Sequence, residues 1–144
     1  LFLELAYSSK AVPNLCDKDI QAIQSTSSKW NVKNDISGCL IFHKQYFVGI
    51  LVGNERIVRG LFLDLASDLR HTDITLLAKE NTPWRQFDNW NMIFQVGSNK
   101  TKFLPTGKLY KNNIIGLAQI VEKRTYTSRI FWNSVIELMN DKSA

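Results

Sequence analysis

Two apolar segments, ISGCLIFH (Ile36–His43) and YFVGILVG (Tyr46–Gly53), are separated by only Lys44 and Gln45. So short a link cannot carry the crossover that parallel strands require, so the two segments pair as a tight antiparallel hairpin. The second segment has no polar side chain after Tyr46, which predicts a strand covered on both faces. Any fold of this chain must therefore place material on either side of the hairpin.

The flanking segments fit that demand. LFLELAY (Leu1–Tyr7) is short, apolar and aromatic, as a buried strand is, and SSKAVPNLC follows as a loop with Pro13 and Asn14 as turn formers. Asp17 is placed to cap a helix over KDIQAIQSTSSKW, with Ile20 and Ile23 on one face. Ser25, Thr26, Ser27 and Ser28 weaken its second half, and NVKND reads as a loop. After the hairpin, Asn54 caps ERIVRGLFLDLASDLR, where Ile57, Val58, Leu61, Phe62, Leu65, Ala66 and Leu69 form an apolar stripe of helical period. DITLLAKE is a fourth strand, TPWRQFDNW a loop and NMIFQVG a fifth strand.

This order predicts an α+β fold: a ferredoxin-like βαββαββ sandwich over residues 1–97 with a mixed or antiparallel five-stranded sheet. Residues 98–144 read as a polar linker and two helices, NNIIGLAQIVEK and TSRIFWNSVIELMND. Ile130, Val135, Leu138 and Met139 of the second helix need cover, either on the open face of the sheet or on another subunit. A protein partner or homo-oligomer built through these helices and the sheet face is the expectation.

At 144 residues and 44% hydrophobic content the chain has the size and apolar fraction of one domain. It begins with Leu1 rather than Met, which suggests a trimmed chain. No apolar run approaches the ~18 residues of a spanning helix, so no membrane association is expected. The net charge of +5 comes from scattered basic residues and reads as a solvated surface. Cys16 and Cys39 lack metal or redox spacing and read as two buried free thiols in a reducing, intracellular compartment, cytoplasmic by default. His43 and His71 have no nucleophile or paired carboxylate at convincing spacing, and Asp64 and Asp68, four apart on the second helix, read as a solvated face. The chain is therefore not expected to be an enzyme, and no metal site is expected.

Five short motifs occur in one register: LAYSS with Tyr7, NVKNDISGCLIF, F-x-x-x-L-x-G at Phe47, Leu51 and Gly53, SDLRH at Ser67–His71, and RQFDNWNM at Arg85–Met92. Together they resemble the BLUF domains, sensors of blue light that use FAD, and the tail resembles that of the short BLUF proteins. The resemblance implies a flavin held between the two helices and a photoswitch built from a tyrosine and a glutamine. Tyr7 matches the tyrosine, whereas Gly49 stands where the glutamine belongs. Glycine has no amide to donate, accept or reorient, so that switch cannot operate as the family uses it.

Other positions of the implied pocket depart as well. A pair of polar residues becomes Trp30–Asn31, an arginine of some members becomes Asp64, and the family's glutamate before the turn glycine becomes Val52. Gly38, Gly53, Asp68–His71, Trp90 and Met92 keep the pattern. These departures predict no bound flavin. If the pocket does work, the resemblance implies FAD or FMN contacted by Tyr7, Asn31, Asp68, Trp90 and Met92. The expected role is a protein-interaction or structural module that has lost photoswitching, with an altered flavin sensor as the alternative. An RNA-recognition module is a more distant alternative, since KQYFVGILV lacks the alternating aromatics that stack bases.

Overall fold

The computed structural model describes residues 1–13, 15–85, 90–95, 116 and 118–140, with backbone alone for residues 17, 20, 21, 24, 71 and 90–95. The elements run β1 (Phe2–Ala11), α1 (Asp17–Lys33), β2 (Ser37–His43), β3 (Tyr46–Gly53), α2 (Glu55–Ala66), β4 (His71–Thr82), β5 (Trp90–Gln95) and α3 (Tyr126–Asn140). The strands form one five-stranded sheet in the order β4-β1-β3-β2-β5. Neighbours among the first four pair antiparallel, and β5 joins the edge parallel to β2. This is the ferredoxin-like arrangement with one added strand.

The β2–β3 hairpin turns on Lys44 (φ 48°) and Gln45 (φ 72°). Both hold left-handed backbone, as the favoured two-residue hairpin turn requires, although neither is Gly or Asn. The burial of the strands on either side over-determines that conformation. Gly38, at φ 150°, has a different constraint: a Cβ there would lie 2.0 Å from the Ile50 carbonyl oxygen, so only glycine fits.

Three boundaries differ from the local reading. β1 continues through Ser8, Ser9 and Lys10 to Ala11, because it is central and paired on both edges, Lys10 to Tyr46 and Ala11 to His71. Pairing on two sides overrides weak strand propensity. α1 continues through its serine cluster to Lys33, so Asn31 is helical and only Asn34 onward turns. Its N-cap is Cys16 rather than Asp17: the Cys16 backbone N–H and Sγ both donate to Asp19 Oδ2, at 2.9 and 3.2 Å. Cys16 is accordingly exposed, and only Cys39 is a buried thiol. α2 is capped as the sequence predicts, Asn54 Oδ1 accepting from the Arg56 and Ile57 N–H groups at 2.9 and 3.3 Å. It stops at Ala66, however, so Asp68 lies beyond the helix and Leu69 is 90% exposed rather than part of the stripe.

The sheet is covered on both faces. Leu3, Leu5, Tyr7, Phe47 and Leu51 pack with Val58, Ile23, Phe62 and Leu65 of the two helices. Ala6, Cys39, Ile41, Val48 and Ile50 pack on the other face with Phe131, Trp132, Val135, Leu138 and Met139 of α3. Each of these large side chains contributes roughly 1.5–3 kcal/mol on full burial. β3 thus lacks polar residues because α1/α2 and α3 sandwich it. The cover for α3 is the chain's own sheet face, and that face is closed to a partner while α3 is docked. It is also the face on which an RNA-recognition module would stack bases. Gly116 and residues 118–120 of the other predicted C-terminal helix are helical, residues 121–123 are not, and residues 112–115 and 117 lie outside the described residues together with the linker.

Candidate functional site

Between α1 and α2, above β1 and β3, lies a cavity of about 230 Å³. Its floor is apolar: Leu40, Phe47 and Leu51 from the sheet, Ile23 from α1, and Leu61 and Leu65 from α2. Its mouth is polar, formed by Thr26 and Ser27 of α1, Asp64 of α2, and Asp68 and Arg70 of the following turn, while Asn31 of α1 lines it from a buried position. Trp30, 39% exposed, adds an indole to the α1 side. α1 reaches this wall because it runs past its serine cluster, and it is closed there by the Asn34 side-chain amide donating to the Trp30 carbonyl at 2.8 Å.

Tyr7 forms one wall. Its ring is buried and stands edge-on to Phe62 at 6.1 Å between centroids. Burial pushes its hydroxyl well above the usual phenol range. Gly49 is the register partner of Tyr7 across β1 and β3. A Cβ at Gly49 would meet Tyr7 Cε1 at 2.6 Å, Cζ at 2.7 Å and the hydroxyl oxygen at 2.9 Å. The tyrosine ring thus occupies the volume that any side chain at position 49 would need.

The charges at the mouth are largely committed. Arg70 clasps Asp68, with Nη2 to Oδ2 at 2.6 Å and Nε to the two carboxylate oxygens at 3.0 and 3.1 Å. The Asp68 hydrogen bonds raise the guanidinium's pKa against the opposing effect of burial, with Asp68 and Asp19 charges adding to the rise. Asp64 is exposed beside it. The mouth therefore offers two carboxylates against one guanidinium that is already paired, which disfavours a phosphate.

The structure brings Tyr7, Trp30, Asn31, Asp64 and Asp68 to one cavity. It places Gly49 behind the Tyr7 ring. Trp90 and Met92 sit on β5, and their side chains are outside the described residues, as is that of His71. Arg70 was legible only as a helix-end residue. Its place at the mouth follows from α2 stopping at Ala66, which no local signal in SDLRH announces. No cluster of three or more His, Cys, Asp or Glu occurs among the described residues. No described helix is long and apolar enough to cross a membrane.

A five-stranded ferredoxin-like sheet with a cleft between its two helices and a third helix on its back defines the fold class. Within that class the chain belongs to the BLUF family, sensors of blue-light using FAD, whose model matches residues 2–93. It is 35% identical over 71 residues to photoactivated adenylate cyclase subunit beta of Euglena gracilis, a match covering 49% of this chain and 8% of that one. A bacterial light-regulated adenylyl cyclase structure is similar at 33% identity and TM-score 0.64, over 66% of this chain and 28% of that one. The BlrP1 BLUF structure shares the fold at TM-score 0.73 and 20% identity, over 100% of this chain and 93% of that one.

The described residues do not fit the flavin site that the family implies. Position 49 has no side-chain amide, the Tyr7 ring lies over it, and the cavity carries Asp64 and Asp68 against the single, paired guanidinium of Arg70. The cavity is also smaller than the ~300–1,000 Å³ of sites for drug-sized ligands.

Proposed function

We propose that this BLUF-family domain has lost the flavin photoswitch and acts as a protein-interaction or structural module in an assembly, without catalytic chemistry of its own. The carrying observation is the Tyr7 ring lying within 2.6–2.9 Å of where a Gly49 Cβ would stand. Loss of the glutamine left a neighbour settled into its volume, so the change is built into the packing of the strand pair. Large apolar side chains left in solvent on and after the two helices, Val32, Leu63 and Leu69, support an interaction role. Because α3 covers the back of the sheet, partners engage the outer sides of the helices.

A second reading is a flavin binder with an altered contact set. It is favoured by Asn31, which is buried to 2% exposure yet lines the cavity, and by Tyr7, whose hydroxyl is shifted by burial alone. The absorbance of the purified chain, before and after adding FAD and FMN and under blue light, separates the readings. Colourless protein that takes up neither flavin is expected. Uptake of flavin without a light-induced shift would establish the second reading, and a persistent red-shift of the flavin band would overturn the loss of switching.

A further inference from the structure

On the sheet face opposite the cavity, β1 carries Glu4 with no solvent exposure. Its register partner on β4 is Glu80, and its partner on β3 is Val52. Like charges directly opposite one another in a ladder destabilise it. Both carboxylates engage the start of α3. Thr125 Oγ1 donates to Glu4 Oε1, and the Thr127 backbone N–H donates to Glu80 Oε1 at 2.7 Å. Thr125 and Ser128 close the helix end reciprocally, the Ser128 N–H donating to Thr125 Oγ1 at 3.0 Å. The second oxygen of Glu4, Oε2, is buried and has no hydrogen-bond partner among the described residues.

Among the described residues no cation pairs with either carboxylate. Arg124 pairs with Glu122 at 3.3 Å, and Arg129 and Lys79 are exposed. Arg85 is engaged by Asp35, Ser37 and the Val52 carbonyl. The buried Ser37 on β2 and Thr82 on β4 are neutral. Burial, then Glu80's charge against the opposing Thr125 hydrogen bond, hold the Glu4 carboxyl above its ordinary value near 4.5. A carboxyl oxygen without a partner, beside a second acid, is accommodated when it carries the proton. Glu80 is half-buried and accepts from a backbone N–H in the first turn of α3.

We propose that Glu4 and Glu80 form a proton-gated latch for the C-terminal helix. With Glu4 protonated, the first turn of α3 is held on the sheet through Thr125 and Thr127. When both carboxylates are ionised, that turn is released and the back of the sheet becomes accessible from this end. Because the folded carboxyl binds its proton more tightly than the unfolded one, the folded state carries more protons through this window. Latch stability is therefore full at acid pH and declines as pH rises from about 4.5 through the folded value. The latch is independent of the flavin reading, which concerns the other face.

The test is amide hydrogen exchange on the full chain over a pH series, corrected for intrinsic exchange. Protection of the Thr127 and Ser128 amides is expected to fall with rising pH, about tenfold per pKa unit by which folding raises the carboxyl. The Val58 amide, bonded within α2 to the Asn54 carbonyl, serves as the flat reference. Glu4→Gln is expected to abolish the slope, whereas Thr125→Val lowers protection at every pH. Glu80→Gln moves the midpoint to lower pH and carries the test if Glu4→Gln does not fold. A flat wild-type profile, or the same slope in Glu4→Gln, would overturn the proposal.

Discussion

The packing of Tyr7 against Gly49 makes a quantitative demand on the strand pair. In Gly49→Ala the new Cβ would sit 2.6 Å from Tyr7 Cε1, about an ångström inside the ~3.5–4.0 Å optimum for carbon pairs. Overpacking of this kind costs about 1–3 kcal/mol. Replacing a strand glycine by alanine returns about 0.5–1 kcal/mol of backbone entropy. The net expectation is a loss of roughly 0.5–2 kcal/mol, limited because the ring can swing toward the cavity it lines. In a Tyr7→Leu background the ring is gone, and the alanine is expected to be neutral or stabilising. Urea unfolding of the four proteins closes the cycle, with a midpoint shift of about 0.3–1 M per kcal/mol. A coupling of at least about 1 kcal/mol is expected, whereas independent sites add within about 0.3–0.5 kcal/mol. Additive effects, or a Gly49→Ala more stable than wild type with Tyr7 present, would refute the reasoning. The same clash predicts that Gly49→Gln alone cannot set a glutamine in the family's switching geometry, because Tyr7 must first move.

Two further predictions rest on the frame around the site. Arg85 ties three segments together, donating to Ser37 Oγ, the Val52 carbonyl and both oxygen types of Asp35 at 2.9–3.2 Å. Arg85→Ala is expected to lower unfolding stability by about 1.5–3 kcal/mol in urea titration. Asp35→Asn costs under about 1 kcal/mol because that carboxylate is exposed. The two thiols differ in reach: Cys16 is exposed, while burial pushes the Cys39 thiol far above the usual range. A maleimide counted by mass spectrometry is expected to label Cys16 alone in the native protein and both in denaturant, and fast native labelling of Cys39 would show α3 to be undocked.

Much of the fold was legible because it is local. The two-residue link at Lys44–Gln45 admits only a hairpin, Asn54 and the stripe through Leu65 define α2, and a run without polar residues means cover on both sides. The departures at Trp30, Gly49 and Asp64 are visible against the family's pattern without coordinates. What was not legible depends on neighbours distant in sequence. β1 runs to Ala11 because strands on both edges pair with it, and Arg70 reaches the cavity mouth because α2 ends early.

By itself the sequence determined the order of elements, the covered β3 and the missing amide at position 49, since periodicity, caps and side-chain identity are written residue by residue. Only the tertiary structure decided that the Tyr7 ring lies over Gly49, that α3 covers the chain's own sheet, and that Glu4 meets Glu80 beneath its first turn. Those facts are set by cross-strand register and by which surface buries the helix, and neither is encoded in any one segment.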